Sequence, residues 1–154
     1  MTLYVLVGIQ ASGKSTWASA NATRLEAEVV ASDEIRNELE AAGIAAEHAG
    51  DQVFAIFEVR VAHWLDAGRN VIADATHARR VWRANVLALA RQRGVRSVAV
   101  WFQVPLDVSR ARNVHKPGGA RWGDRVIEDG VLVDMWQHLD PPGLDEFDEI
   151  WKIN

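Results

Sequence analysis

Near the N-terminus the chain reads Gly8-Ile9-Gln10-Ala11-Ser12-Gly13-Lys14-Ser15, followed by Thr16. This fits the pattern G-x-x-x-x-G-K-[ST], a loop built to hold phosphate. Its glycines allow backbone conformations and close approaches that a Cβ would obstruct. Successive N–H groups then form an anion-binding nest at the positive end of the following helix. Lys14 is expected to reach the β and γ phosphates of a nucleoside triphosphate, and the Ser15 hydroxyl to ligate Mg²⁺. Gly8, Ser12, Gly13, Lys14, Ser15 and Thr16 are the candidate ATP-binding residues, with ATP and Mg²⁺ the expected cofactors. A bare glycine-rich turn is the alternative.

Further residues supply the chemistry such a loop would serve. Asn70-Val-Ile-Ala-Asp74 is an apolar run ending in an acid, and in a parallel sheet this puts Asp74 at the carboxyl edge beside the phosphates. There it holds Mg²⁺, directly or through water, or it merely caps the next helix with Thr76. Ser32-Asp33-Glu34-Ile35-Arg36 follows another short apolar run. Asp33 can orient an acceptor hydroxyl and take its proton, or serve as an ordinary N-cap. Arg110, Arg112, Lys116, Arg121 and Arg125 flank Lys116-Pro-Gly-Gly-Ala. A flexible basic segment there suits a lid that excludes water and stabilises charge on the moving phosphoryl group; a solvated connection between helices is the plainer alternative.

The order of elements that must position these residues is strand and helix in alternation, which implies a parallel sheet covered on both faces. Strands are expected over Leu3–Val7, Val29–Ala31, Asn70–Ala73, Val95–Phe102 and Glu149–Ile153. Helices are expected from Lys14 to about Leu25, from Ser32 toward Ala41, over Asp51–Ala67, Arg79–Arg93, Pro105–Asn113 and Asp124–His138. The fold class is therefore a P-loop NTPase, a three-layer α/β/α arrangement with a parallel sheet of about five strands and a basic lid segment. At 154 residues one domain spanning 1–154 is expected.

The chain has no cysteine, which excludes disulfides, thiolate metal sites and cysteine nucleophiles. No apolar run approaches the ~20 residues of a membrane span, so a cytoplasmic protein with no membrane partner is expected. The net charge of −4 is unevenly spread: Ala75–Arg125 carries eleven basic and two acidic residues. That block reads either as a basic surface for a polyanion or as solvated helix faces. Of the seven tryptophans, Trp82 and Trp122 lie in basic surroundings where an indole could stack on a base.

These segments, with Ala73-Asp74-Ala-Thr-His77 and Val104-Pro-Leu-Asp-Val-Ser-Arg110-Ala-Arg112-Asn113, occur in the order that resembles polynucleotide-kinase-like P-loop kinases. The likeness is to the kinase domain of bacteriophage-type polynucleotide 5′-hydroxyl kinase. It implies that Asp33 activates the acceptor hydroxyl and that Arg36 contacts a substrate phosphate. It also implies that Arg79 or Arg80, with the lid arginines Arg112, Arg121 and Arg125, surrounds the transferring phosphates. Arg36, Asp74, Arg79 and Arg80 are thus the candidate substrate-binding residues. The favoured acceptor is a nucleic-acid hydroxyl, at a 5′ end or on a hydroxymethylated base. The alternatives are a small-molecule kinase, for a nucleoside, sugar or other metabolite, and a nucleotide-dependent switch without an acceptor.

Overall fold

The computed structural model describes residues 1–46 and 49–154. The strands are β1 (Thr2–Val7), β2 (Ala27–Ala31), β3 (Asn70–Asp74), β4 (Arg96–Phe102) and β5 (Glu149–Ile153). The helices are α1 (Lys14–Asn21), α2 (Ser32–Ala41), α3 (Gly50–Asp66), α4 (Arg80–Gln92), α5 (Leu106–Val114) and α6 (Asp129–Gln137). The strands form one sheet in the order β2-β3-β1-β4-β5, and every pairing is parallel.

The central strand β1 shows why the sheet is covered on both faces. Leu3, Val5 and Val7 point into a core shared with Val53, Phe57, Val61 and Leu65 of α3 and Val86, Leu87 and Ala90 of α4. Tyr4 and Leu6 point the other way, to Ala18 of α1 and to Val98, Val100 and Phe102 of β4. Strands buried on both faces need no polar alternation, hence the continuous apolar runs in the sequence. Each strand delivers its C-terminal end to one edge of the sheet. The chain order reverses around β1, and the crevice at such a switch point is where an α/β sheet binds ligands.

Two helices are shorter than their sequence patterns. α1 stops at Asn21, not Leu25, because the Asn21 amide donates to the Trp17 carbonyl (2.9 Å) and its Oδ1 accepts from Arg24. A polar side chain bonding locally competes in this way with helix continuation. α6 starts at Asp129, not Asp124. Residues 124–128 are held elsewhere: Ile127 exchanges backbone hydrogen bonds with the Asn113 amide (2.7 and 2.9 Å), and Arg125 reaches the Ala120 carbonyl and Glu40.

Candidate active site

The loop after β1 is shaped by two glycines. A Cβ on Gly8 would sit 2.9 Å from Ser12 Oγ and 3.1 Å from Phe102 Cβ, and Gly13 has φ +97, a backbone that L side chains rarely adopt. Gly13 is also the N-cap of α1, so Lys14, Ser15 and Thr16 form the helix's first turn, whose N–H groups have no carbonyl partner within the helix. Ser12 is buried and donates to the Ile9 carbonyl (2.7 Å), bracing the loop. The Lys14 ammonium folds back onto the carbonyls of Gly8 (3.1 Å) and Ile9 (2.6 Å). Burial lowers its pKa to about 8, against the opposing pull of Asp74 and Asp33.

Ser15 Oγ donates to Asp74 Oδ2 at 2.7 Å, so the end of β3 meets the start of α1 at the edge of the sheet. Burial raises the Asp74 pKa, offset by the Ser15 hydrogen bond and Lys14. The simple capping role for Asp74 falls away, because α4 begins at Arg80 with Arg79 as its N-cap and no side-chain cap. A hydroxyl and a carboxylate in contact are hard oxygen donors that suit Mg²⁺, which takes one or two protein oxygens and completes its shell with water and phosphate. Asp33 is likewise not the N-cap of its helix: α2 begins at Ser32 and is capped by Ala31. Asp33 lies in the first turn, 3.6 Å from the Arg36 guanidinium. Burial lowers the Arg36 pKa, with Asp33 opposing.

Lys14, Ser15, Thr16, Asp33, Arg36 and Asp74 line one cleft of about 720 Å³. Its far wall is made by Asp51, Phe54 and Glu58 of α3 and by Val81, Trp82 and Asn85 of α4. Lys116, Trp122, Arg125 and Ile127 cover it from the segment between α5 and α6. The α3 residues form a stripe at i, i+3 and i+7, beside the core stripe of Val53, Phe57, Val61 and Leu65. Spacing alone would have shown it once the core face was assigned.

Several expected site residues are placed differently. Arg79 lies 3.9 Å from Asp140, and Arg80 pairs with Asp145 at 2.5 Å; neither lines the cleft. Arg121 pairs with Glu34 (2.6 Å), also outside the lining. Arg125 lines the cleft, but its guanidinium is bonded to both oxygens of Glu40 (3.1 Å each). Arg112 stands against the phosphate loop, 3.5 Å from where a Cβ on Gly13 would lie. Lys116, which the sequence did not single out from the other lid cations, faces Asp33. Burial lowers its pKa, with Asp33 and Asp124 opposing.

The basic block is largely neutralised in place. Arg79, Arg80, Arg83, Arg93, Arg96, Arg110, Arg121 and Arg125 each have a carboxylate partner. Those partners all lie outside the block, so ion pairing in the folded chain offsets much of the charge asymmetry of the sequence.

His77, three residues after Asp74, is buried, and its Nδ1–H donates to the Leu6 carbonyl (3.1 Å) just before the phosphate loop. Burial lowers its pKa to about 4, below the ordinary value near 6.5. Between those values the unfolded chain binds the extra proton. Stability is therefore full above pH ~6.5 and falls by up to ~1.4 kcal/mol per pH unit toward pH ~4. Urea unfolding at pH 7 and 5 should show this loss, and a His77→Asn variant should show a smaller one; equal losses would contradict the assignment.

Residues 3–142 match the family model AAA_33, an AAA domain, and the chain belongs to that family. Its fold is that of P-loop kinase-like domains. Kti12 of Chaetomium thermophilum, in complex with ADP-AlF3, superposes with a TM-score of 0.78 at 16% identity, covering 98% of this chain and 88% of that one. Shikimate kinase of Acinetobacter baumannii, in complex with shikimate, gives 0.62 at 21% identity, covering 99% and 83%. The Pnkp1/Rnl/Hen1 RNA repair complex gives 0.74 at 19% identity, covering 90% of this chain and 43% of that one. No curated protein sequence matches. The specific polynucleotide-kinase family is thus narrower than what the matches carry. Among the described residues no helix is long and apolar enough to cross a membrane.

Proposed function

We propose that this chain is an ATP-dependent kinase that transfers the γ-phosphoryl group to a hydroxyl of a small molecule bound between α2, α3 and α4. The observation that carries the reading is the cleft itself: the phosphate loop, Asp33, Arg36 and Asp74 face one space that α3 and α4 line on its other side. The cleft of about 720 Å³, phosphate loop included, has the size of a small-ligand site (~300–1,000 Å³). Asp51 and Glu58 on its wall would repel a phosphodiester chain, and the ion-paired basic block leaves no evident track for one.

Lys14 leaves the loop carbonyls to reach the β and γ phosphates, which also meet the N–H groups from Gly13 to Thr16. Ser15 and Asp74 are the residues that would hold Mg²⁺, which would supply positive charge to offset that of the phosphates. Asp33 receives the acceptor's hydroxyl proton as the new oxygen–phosphorus bond forms. The bond from the γ phosphorus to the bridging oxygen breaks, and ADP departs with that oxygen. Lys116 and Arg112 supply positive charge around the moving phosphoryl group.

A nucleic-acid 5′ end is the second reading. Its support is Arg36 together with Trp82, which is 50% exposed on the cleft wall with Arg79 5.8 Å from its ring. Labelled ATP offered with oligonucleotides and with pooled nucleosides, sugars and hydroxy acids separates the two. We expect label on a small acceptor, with a KM that changes by no more than about a few-fold between 50 and 200 mM salt. Label confined to oligonucleotides, with affinity dropping by orders of magnitude over that range, would replace the first reading with the second.

A further inference from the structure

The lid meets the acceptor helix α2 through Arg121, Trp122 and Arg125. The backbone N–H of Trp122 donates to Asn37 Oδ1 (2.8 Å), and its carbonyl accepts from the Asn37 amide (3.3 Å), as in the pairing of two strands. The indole N–H donates to Glu40 (3.0 Å). Arg125 lies over the same ring at 3.9 Å while bonded to Glu40. Asn113 of α5 holds Ile127 by the same two-way exchange, so both roots of residues 122–127 are fixed by asparagines.

On the cleft side, the Arg36 guanidinium carbon is 5.3 Å from the Trp122 ring centroid and 5.7 Å from that of Phe54. Contact with ring faces engages the guanidinium without using its N–H donors, which lie in its own plane. Arg36 is thereby held at the cleft with donors available for a planar or tetrahedral oxyanion, beside the carboxylate assigned to the acceptor hydroxyl.

We propose that Trp122 is a positioning residue for the acceptor: docked on α2 by Asn37 and Glu40, its indole sets Arg36 to bind a carboxylate or phosphate on the molecule being phosphorylated. Acceptor affinity then depends on the lid, not only on α2 and α3. This inference rests on the kinase reading above, and it narrows the acceptor to one carrying an anionic group near its reactive hydroxyl.

The test is a kinetic cycle on the full chain with anionic and neutral hydroxyl compounds as acceptors. Trp122→Ala should raise the KM of an anionic acceptor by roughly tenfold and leave the KM of ATP within about threefold. Trp122→Phe, which keeps a ring, should recover most of the loss. In an Arg36→Ala background, Trp122→Ala should add little. Equal effects on both substrates, additive losses in the cycle, or a wild-type preference for neutral acceptors would each overturn the inference while leaving the kinase reading standing. If no acceptor is labelled, the kinase reading fails, and amide exchange decides the coupling. Faster exchange across residues 33–40 in Trp122→Ala but not in Trp122→Phe supports it; unchanged α2 exchange overturns it.

Discussion

Glu146→Ala is expected to destabilise the chain by about 3–5 kcal/mol, a large share of the ~5–15 kcal/mol that holds a typical domain folded. Arg83 is fully buried, and Glu146 is its carboxylate partner, with contacts of 3.0 and 2.7 Å. Its Nη1 donates to the carbonyls of His77 (3.0 Å) and Asp140 (2.9 Å). Truncating Glu146 leaves a cation out of water with its strongest partner gone, which costs more than the pair's net contribution. The double variant Arg83→Met/Glu146→Leu removes both charges and should recover much of the loss. Urea midpoints measure both. A loss under about 1 kcal/mol for Glu146→Ala would mean that water reaches Arg83. The same cluster fastens the residues after α6 to the loop after β3, so its loss should also loosen the segment that follows Asp74.

The second large effect concerns chemistry and leaves the fold alone. Asp33→Asn should lower kcat by about 10²–10⁴, the usual contribution of a positioned proton acceptor, while the dissociation constant of ATP stays within about threefold. The amide keeps the size and the placement near Arg36 but cannot take the hydroxyl proton. Lys14→Ala should instead weaken ATP binding and turnover together, since its ammonium interacts with the phosphates in both ground and transition states. Stopped-flow binding of a fluorescent ATP analogue, run beside initial rates, separates the two patterns. An Asp33→Asn enzyme retaining a third or more of wild-type kcat would leave Asp33 with only an electrostatic role at the start of α2.

The P-loop and the strand ends were legible because their signals are local. Gly8, Gly13 and Lys14 are fixed by the backbone geometry of one turn, and the apolar strands by burial on two faces. The position of Asp74 followed from a strand ending in an acid within a parallel sheet, and its contact with Ser15 agrees. The fate of the arginines was not legible, because it is decided by carboxylates distant in sequence. Arg80 is 65 residues from Asp145, and Arg121 is 87 from Glu34. A charge count along the chain therefore misses how much of that block's charge is offset by ion pairs. Arg83 is the extreme case, a residue of the basic block that lies at 0% exposure inside the core. The lid's docking on α2 was equally hidden, since Asn37 and Asn113 act through side-chain amides that imitate backbone and leave no periodic trace.

The measurement that bears most directly on the central claim is the stoichiometry of ADP against phosphorylated acceptor in one reaction with γ-labelled ATP. If Asp33 directs the phosphoryl group to a hydroxyl of the bound molecule, each ADP formed is matched by one labelled acceptor, with little free phosphate, and both products disappear together in Asp33→Asn. If instead ADP is matched by free phosphate with every acceptor offered, the chain is a nucleotide-hydrolysing switch and the kinase reading is wrong.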